Sequence, residues 1–249
     1  MPMLKQRLKD GEVLVGTLVG MGSPEVAEAL CLSGMQWLFV DMEHSATGIG
    51  AVQSILQAAA PAVPCLVRPP AADEGWLKKS LDIGPSGLII PHVNSAEEAR
   101  RIMHLTRYPP QGGRSIGIAR AQGYGLHFES YLRQANDEVA IVLQIEHRDA
   151  VDNIESIVAV EGIDGLYIGP YDLSASMGKP GAVNDADVQA AIGRVEACAR
   201  GAGIPLGIFV ADPETAGAYI RRGYQLITVG VDALMLAQAA KSILSAVER

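Results

Sequence analysis

Residues 140–172 read AIVLQIEHRDAVDNIESIVAVEGIDGLYIGPYD. Two apolar runs of strand length, Ala140–Ile145 and Gly165–Ile168, flank Ala150–Val158, whose apolar residues recur at helical spacing. Strands joined through a helix lie parallel in one sheet, so the stretch predicts a β–α–β unit. Each apolar run leads into an acid, Glu146 after the first and Asp172 after the second.

The same alternation extends in both directions. Further strands are predicted at Val13–Val19, Trp37–Val40, Cys65–Val67, Gly87–Ile90, Pro205–Phe209 and Leu226–Val229. Helices are predicted at Pro24–Leu32, Ile49–Ala60, Asp73–Leu81, Ser95–Leu105, Asp185–Ala202, Pro213–Arg222 and Asp232–Val247. Ser23-Pro24, Asp212-Pro213 and Ser95 with Glu98 supply helix-start chemistry. Eight strand–helix repeats in 249 residues predict an α/β fold of the (β/α)8 TIM-barrel type, one domain over residues 1–249. An open doubly wound sheet is the structural rival. Thr106–Gly125 is the longest aperiodic segment, and Phe128–Asn136 an extra helix before the fifth strand.

Composition narrows the partners. A formal charge of −8 disfavours nucleic acid and anionic membrane surfaces, which require clustered cations. No apolar stretch near the N-terminus is long enough to span a bilayer or serve as a signal peptide. Cys31, Cys65 and Cys198 lie far apart without a CxxC pair, which fits a reducing cytoplasm. Small-molecule substrates are expected.

In a barrel the chemistry gathers where strands end. Asp41, Glu43 and His44 follow strand two, Arg68 ends strand three and His92 follows strand four. Gln144 and Glu146 lie two apart on strand five and so face inward together, with Leu143 and Ile145 facing the helices. Glu146 and Asp172 are candidate oxygen ligands for a divalent cation such as Mg²⁺ or Mn²⁺. Their structural alternative is a salt bridge for Glu146 and a helix cap for Asp172. His44 is a candidate acid/base that Asp41 or Glu43 could orient, set against an idle loop histidine. Arg68 is a candidate for holding an oxyanion, set against a structural ion pair. The Gly169-Pro170 turn could present backbone N–H groups to a carboxylate. His147 should face away from its neighbour Glu146, and Asp82, near the end of helix three, could buttress a histidine or face water.

Two mechanisms find no residues. Lys5, Lys9, Lys78, Lys79, Lys179 and Lys241 all lie outside the predicted strands, which disfavours Schiff-base catalysis. No G-x-S-x-G elbow supports serine nucleophile chemistry.

With these motifs quoted, the chain resembles the metal-dependent (class II) pyruvate aldolases of the HpcH/HpaI aldolase and citrate lyase family. The resemblance runs nearly end to end, through WLFVDMEH (37–44), LVRP (66–69), LDIGPSGLIIP (81–91), TRYPP (106–110) with GGRS (112–115), LQIEHRDAVDNI (143–154), VEGIDGLYIGPYDLSASMG (160–178) and ITVGVDA (227–233). It implies a TIM barrel, a homo-oligomer that is a hexamer or trimer of dimers with a swapped last helix, and retro-aldol cleavage of a 4-hydroxy-2-oxo acid to pyruvate and an aldehyde. It implies Glu146 and Asp172 as ligands of Mg²⁺ or Mn²⁺, with Co²⁺ or Zn²⁺ as alternatives, His44 as acid/base and Arg68 as stabiliser of enolate charge. Asp41 and Asp82 match the acids supporting His44. Gln144 lines the pyruvate pocket in this resemblance, and Gly169, Pro170 and Tyr171 lie near the pyruvate carboxylate. His147, Tyr171 and the loop GGRSIGIARAQGYG depart from relatives, and Arg120 in that loop is a candidate for reading the aldehyde's polar end. A citramalyl-CoA-type lyase and a non-catalytic carboxylate-binding barrel are the alternative functions.

Overall fold

Parallel strands covered on both faces need apolar side chains on both faces, and five of the eight strands here are buried along their whole length. The computed structural model describes residues 3–59 and 63–247. Its strands are β1 (Leu14–Val19), β2 (Trp37–Asp41), β3 (Cys65–Arg68), β4 (Gly87–Ile90), β5 (Ala140–Ile145), β6 (Gly165–Ile168), β7 (Leu206–Val210) and β8 (Leu226–Val231). They pair in chain order into a closed eight-stranded barrel, β8 returning to β1 through Leu14 opposite Leu226. Closure and all-parallel pairing exclude the open-sheet rival.

Successive residues separate into two apolar clusters, as a two-residue period requires. Leu38, Val40, Leu143 and Ile145 pack outward against the helices, whereas Trp37, Phe39, Leu66, Ile89, Val142 and Tyr167 fill the barrel interior. The polar atoms inside are satisfied: Tyr167 donates to Thr228 Oγ1 at 2.6 Å and Trp37 Nε1 donates to the carbonyl of Ile227 at 3.1 Å.

The helices are α1 (Leu4–Lys9), α2 (Pro24–Leu32), α3 (Ile49–Ala59), α4 (Glu74–Asp82), α5 (Ala96–Thr106), α6 (Phe128–Glu138), α7 (Arg148–Asp152), α8 (Ile154–Val158), α9 (Pro170–Ser176), α10 (Ala186–Gly201), α11 (Pro213–Arg221) and α12 (Asp232–Ala246). Ser95 and Glu98 form a reciprocal capping box, and Ser23, Asp73 and Asp212 accept from first-turn N–H groups. Ala60, the expected last residue of the helix after β2, lies outside the described residues. Among the described residues no helix is long and apolar enough to cross a membrane.

Three elements differ from expectation. No element is predicted before β1, yet residues 4–9 form the helix α1, whose Leu4 and Leu8, one turn apart, plug the N-terminal end of the barrel interior. The single helix expected at Ala150–Val158 is broken at Asn153, which ends α7 and starts α8 with φ −98° and ψ 8°. The aperiodic segment after α5 stays at the N-terminal face, where Arg107 donates to the carbonyl of Val139 at 2.7 Å and to Asp164 at 2.6 Å. Its later part, Arg120–Gly125, is a pair of tight turns kinked at Gln122–Tyr124, where Gly123 and Tyr124 have φ of 60° and 56°.

Candidate active site

The C-terminal ends of β2, β3, β5 and β6 bring Asp41, His44, Arg68, Gln144, Gly169, Tyr171 and Asp172 to one cavity of about 260 Å³. Its other walls are apolar, with Leu18, Phe39 and Phe209 among them.

Arg68 and Asp41 are neighbours in the β2–β3 register and meet as a buried, two-pronged ion pair. Arg68 Nε reaches Asp41 Oδ1 at 2.8 Å and Nη2 reaches Oδ2 at 2.8 Å. Glu43 Oε2 also lies 3.1 Å from Arg68 Nε, but that N–H points to Asp41, which leaves the oxygen without a hydrogen bond. Burial works to lower the arginine pKa; the hydrogen bonds and charge of Asp41, then the charges of Glu43 and Glu146, outweigh it and raise it. The guanidinium also lies 5.0 Å from the ring centre of Phe39. Nη1 is spared from Asp41 and has only a 3.5 Å contact to Gln144 Oε1.

Gln144 and Glu146 share the inner face of β5, and the Gln144 amide donates to Glu146 Oε2. Glu146 Oε1 accepts from the backbone N–H of His92 at 2.8 Å. Burial raises the Glu146 carboxyl pKa, opposed by His92 and reinforced by the like charges of Glu43 and Asp172. Gly169 is needed beside Gln144 and Glu146: a Cβ at that position would stand 2.9 Å from Glu146 Cβ and 3.0 Å from both Gln144 Nε2 and Glu146 Oε2.

His44 has a largely exposed side chain, with Nε2 3.9 Å from Glu43 Oε2. Asp41 holds the His44 backbone N–H at 3.3 Å, not the ring. Of the two acids considered, Glu43 is thus the one beside the imidazole. His92, to which the sequence assigned a place after strand four but no role, has Nε2 3.0 Å from Glu43 Oε1 and Nδ1 3.4 Å from Glu146 Oε1. Its φ of 56°, unusual for a non-glycine residue, belongs to this strand-end turn. Its position directly after β4 was the available signal.

Other expected residues lie elsewhere. Asp82 ends α4 at the opposite face of the barrel, 2.9 Å from Arg114, so within this chain it does not support His44. Arg120 donates to the carbonyls of Ile83 and Gly84 at 2.6 and 3.1 Å at that same face and does not reach the cavity. The Gly169 N–H is taken by the Ile145 carbonyl at 3.2 Å and Pro170 has none, so the free donors of that turn are the first-turn N–H groups of Tyr171 and Asp172. His147 turns away to cap α7. The lysines are all off the strands; the buried one, Lys5, pairs with Asp164 at the N-terminal end.

This is a parallel (β/α)8 barrel carrying an acidic cluster, an anchored arginine and an exposed histidine at its C-terminal mouth. Residues 15–239 match the family described as HpcH/HpaI aldolase/citrate lyase, and the chain belongs to that family. It is 40% identical over 243 residues to the 4-hydroxy-2-oxo-heptane-1,7-dioate aldolase of Shigella sonnei, covering 96% of this chain and 92% of that protein. It is 39% identical to the hydroxypyruvate/pyruvate aldolase of Deinococcus radiodurans, covering 96% and 87%. A crystal structure of an HpcH/HpaI aldolase/citrate lyase family protein from Burkholderia cenocepacia superposes with a TM-score of 0.93 at 38% identity, covering 97% of each chain.

Proposed function

We propose that this chain is a divalent-metal-dependent aldolase that reversibly cleaves a 4-hydroxy-2-oxo acid to pyruvate and an aldehyde. The observation that carries the reading is one cavity lined by His44, Arg68, Asp172 and Gln144, with the buried Glu146 held directly behind Gln144 by its amide.

The donor set fits a hard cation. Glu146 is a buried carboxylate whose pKa burial raises and the like charges of Glu43 and Asp172 raise further, a cost that a cation would relieve, and Glu43 keeps a buried oxygen free of hydrogen bonds. Among the described residues no group of three or more His, Cys, Asp or Glu side chains closes on one point. Glu146 and Asp172 would be the protein ligands of a cation there, an all-oxygen donor set that suits Mg²⁺ or Mn²⁺, with Co²⁺ or Zn²⁺ as alternatives. When bound, the metal supplies Lewis-acid polarisation of the 2-oxo group.

The remaining work belongs to the chain itself. Nη1 of Arg68 faces the enolate oxygen as charge develops there, and Asp41 fixes the guanidinium so that no reorganisation is needed. Nε2 of His44 takes the proton of the 4-hydroxyl as the C3–C4 bond breaks, with Glu43 beside the ring. The N–H groups of Tyr171 and Asp172 receive the pyruvate carboxylate, and Gln144 packs beside the 2-oxo end. The exposed apolar side chains Leu236, Ile243 and Leu244 of α12 support a homo-oligomer, and the family resemblance makes a hexamer or trimer of dimers the form proposed. The unpaired cysteines suit a cytoplasmic setting.

The test starts from chelated protein given pyruvate and aldehydes with Mg²⁺, Mn²⁺, Co²⁺ or Zn²⁺ restored singly. Aldol addition should depend on the metal, and metal at about 100 times its Kd should stabilise the fold by ~2.7 kcal/mol. Glu146→Ala and Asp172→Ala should abolish both responses. Turnover that survives chelation would end the metal assignment.

A further inference from the structure

A second cavity, of about 170 Å³, opens on the same face of the barrel. Pro170, Tyr171 and Phe209 line both cavities. The rings of Tyr171 and Phe209 meet edge to face, 5.9 Å between centroids and 65° between planes, a favoured aromatic contact. They form the partition between the two spaces. Phe209 belongs to β7, whereas Tyr171 lies in the first turn of α9 and is 43% exposed. The tyrosine ring is therefore the part of the wall that a substitution can remove without opening the core.

The chemistry on the two sides differs. On the near side the one permanent cation among the described lining residues is Arg68, held by Asp41 through Nε and Nη2 and assigned above to the enolate oxygen through Nη1. The charges left over, such as Asp172, are negative, and the remaining walls are mainly apolar. A carboxylate tail on the aldehyde would find no free permanent cation there and would meet the like charge of Asp172. Behind the partition the lining groups are the neutral amides and hydroxyls of Asn184, Gln189, Thr215 and Tyr219, of which the Gln189 amide donates to the Val183 carbonyl and the Thr215 hydroxyl to Asp212, each at 2.8 Å, and the only charged lining residue described is Asp212. That lining suits hydroxyl groups and again disfavours a carboxylate.

We propose that the Tyr171–Phe209 partition sets the length of the aldehyde this protein accepts: a short, uncharged aldehyde fits in front of it, and the cavity behind is a hydroxyl-binding space closed off by the Tyr171 ring. The inference rests on the aldolase reading given above. In the bond-forming direction C3 of the pyruvate enolate attacks the aldehyde carbon, and the proton removed from C3 is balanced by one delivered to the new 4-hydroxyl. The aldehyde's tail then points away from pyruvate, and the near cavity of about 260 Å³ must hold both partners. Drug-sized ligand sites run to roughly 300–1,000 Å³, so the space for the tail is short.

The test compares kcat/KM for glycolaldehyde, erythrose and succinic semialdehyde, with pyruvate and the metal-loaded protein, in wild type, Tyr171→Phe and Tyr171→Ala. Wild type and Tyr171→Phe, which keeps the ring, should prefer glycolaldehyde over the other two. Tyr171→Ala should raise the erythrose-to-glycolaldehyde ratio about tenfold or more, the scale on which pocket fit discriminates, and leave the semialdehyde ratio unmoved. Adding Gln189→Leu to Tyr171→Ala should reverse part of that gain. Tyr171→Leu gives a smaller rise of the same sign and serves if the alanine variant does not fold. An unchanged erythrose ratio in the folded variants, or a wild-type preference for succinic semialdehyde, overturns the inference. Metal-dependent exchange of pyruvate methyl protons with D₂O, measured on wild type without any aldehyde, separates the two failures. Exchange with an unmoved ratio sinks the partition alone; no exchange sinks the aldolase reading and this inference with it.

Discussion

Replacing Asp41 by asparagine keeps the side chain's shape and removes its charge, at a site where four donors converge on two oxygens. Oδ1 accepts Arg68 Nε at 2.8 Å and the Glu43 N–H at 3.0 Å; Oδ2 accepts Arg68 Nη2 at 2.8 Å and the His44 N–H at 3.3 Å. Whichever way the asparagine amide is flipped, its NH₂ group faces two donors, one from Arg68 and one from the backbone. Asp41 is 1% exposed and Arg68 5%, so water cannot replace the lost acceptor. Stranding one member of a buried pair costs about 3–5 kcal/mol, and Glu43, 3.1 Å from Arg68 Nε, should hold the loss near ~3 kcal/mol. Urea unfolding followed by tryptophan fluorescence, with Trp37 buried in the barrel interior on the same strand, reads the change as a midpoint shift at constant slope. The double variant Asp41→Asn with Arg68→Met leaves no stranded charge and should recover much of the loss. A single-variant loss below about 1 kcal/mol would refute the reasoning, because it would mean the pair is solvated and contributes as a surface pair does.

Two further outcomes follow from the site's geometry. Gly169→Ala places a methyl group 2.9–3.0 Å from Glu146 and Gln144; displacing them should lower kcat/KM by about 10²-fold with the barrel's circular dichroism unchanged, and full activity would show that the turn yields freely. Borohydride reduction in the presence of pyruvate should leave the protein mass unchanged, since no lysine lies on a strand; an adduct of pyruvate mass would establish imine chemistry instead.

The strands were legible because burial on both faces leaves continuous apolar runs, as in IVLQI and GLYI, and because parallel neighbours require intervening helices. The N-terminal plug was not. Leu4 and Leu8 supply only one helical repeat amid Lys5, Arg7 and Lys9, too little periodicity to distinguish a buried face from a charged flank. The break at Asn153 was hidden for a related reason: α7 and α8 each have five residues, so their combined apolar pattern reads as one helix.

Site placement follows from chain direction. A residue immediately after a β-strand emerges at the C-terminal mouth, and Asp41, Arg68, His92 and Glu146 all stand within two residues of the end of a strand. A residue at the end of a helix has been carried back to the N-terminal face, as Asp82 at the end of α4 shows by meeting Arg114. Arg120, beyond the end of α5 and before β5, is held at the same face by the carbonyls that end α4. A sequence motif marks such residues without recording which end of the barrel they occupy within a chain. For Asp82 or Arg120 to touch the mouth of a barrel, it must be another copy's, which makes assembly the physical question that a single chain's strand order leaves to its neighbours.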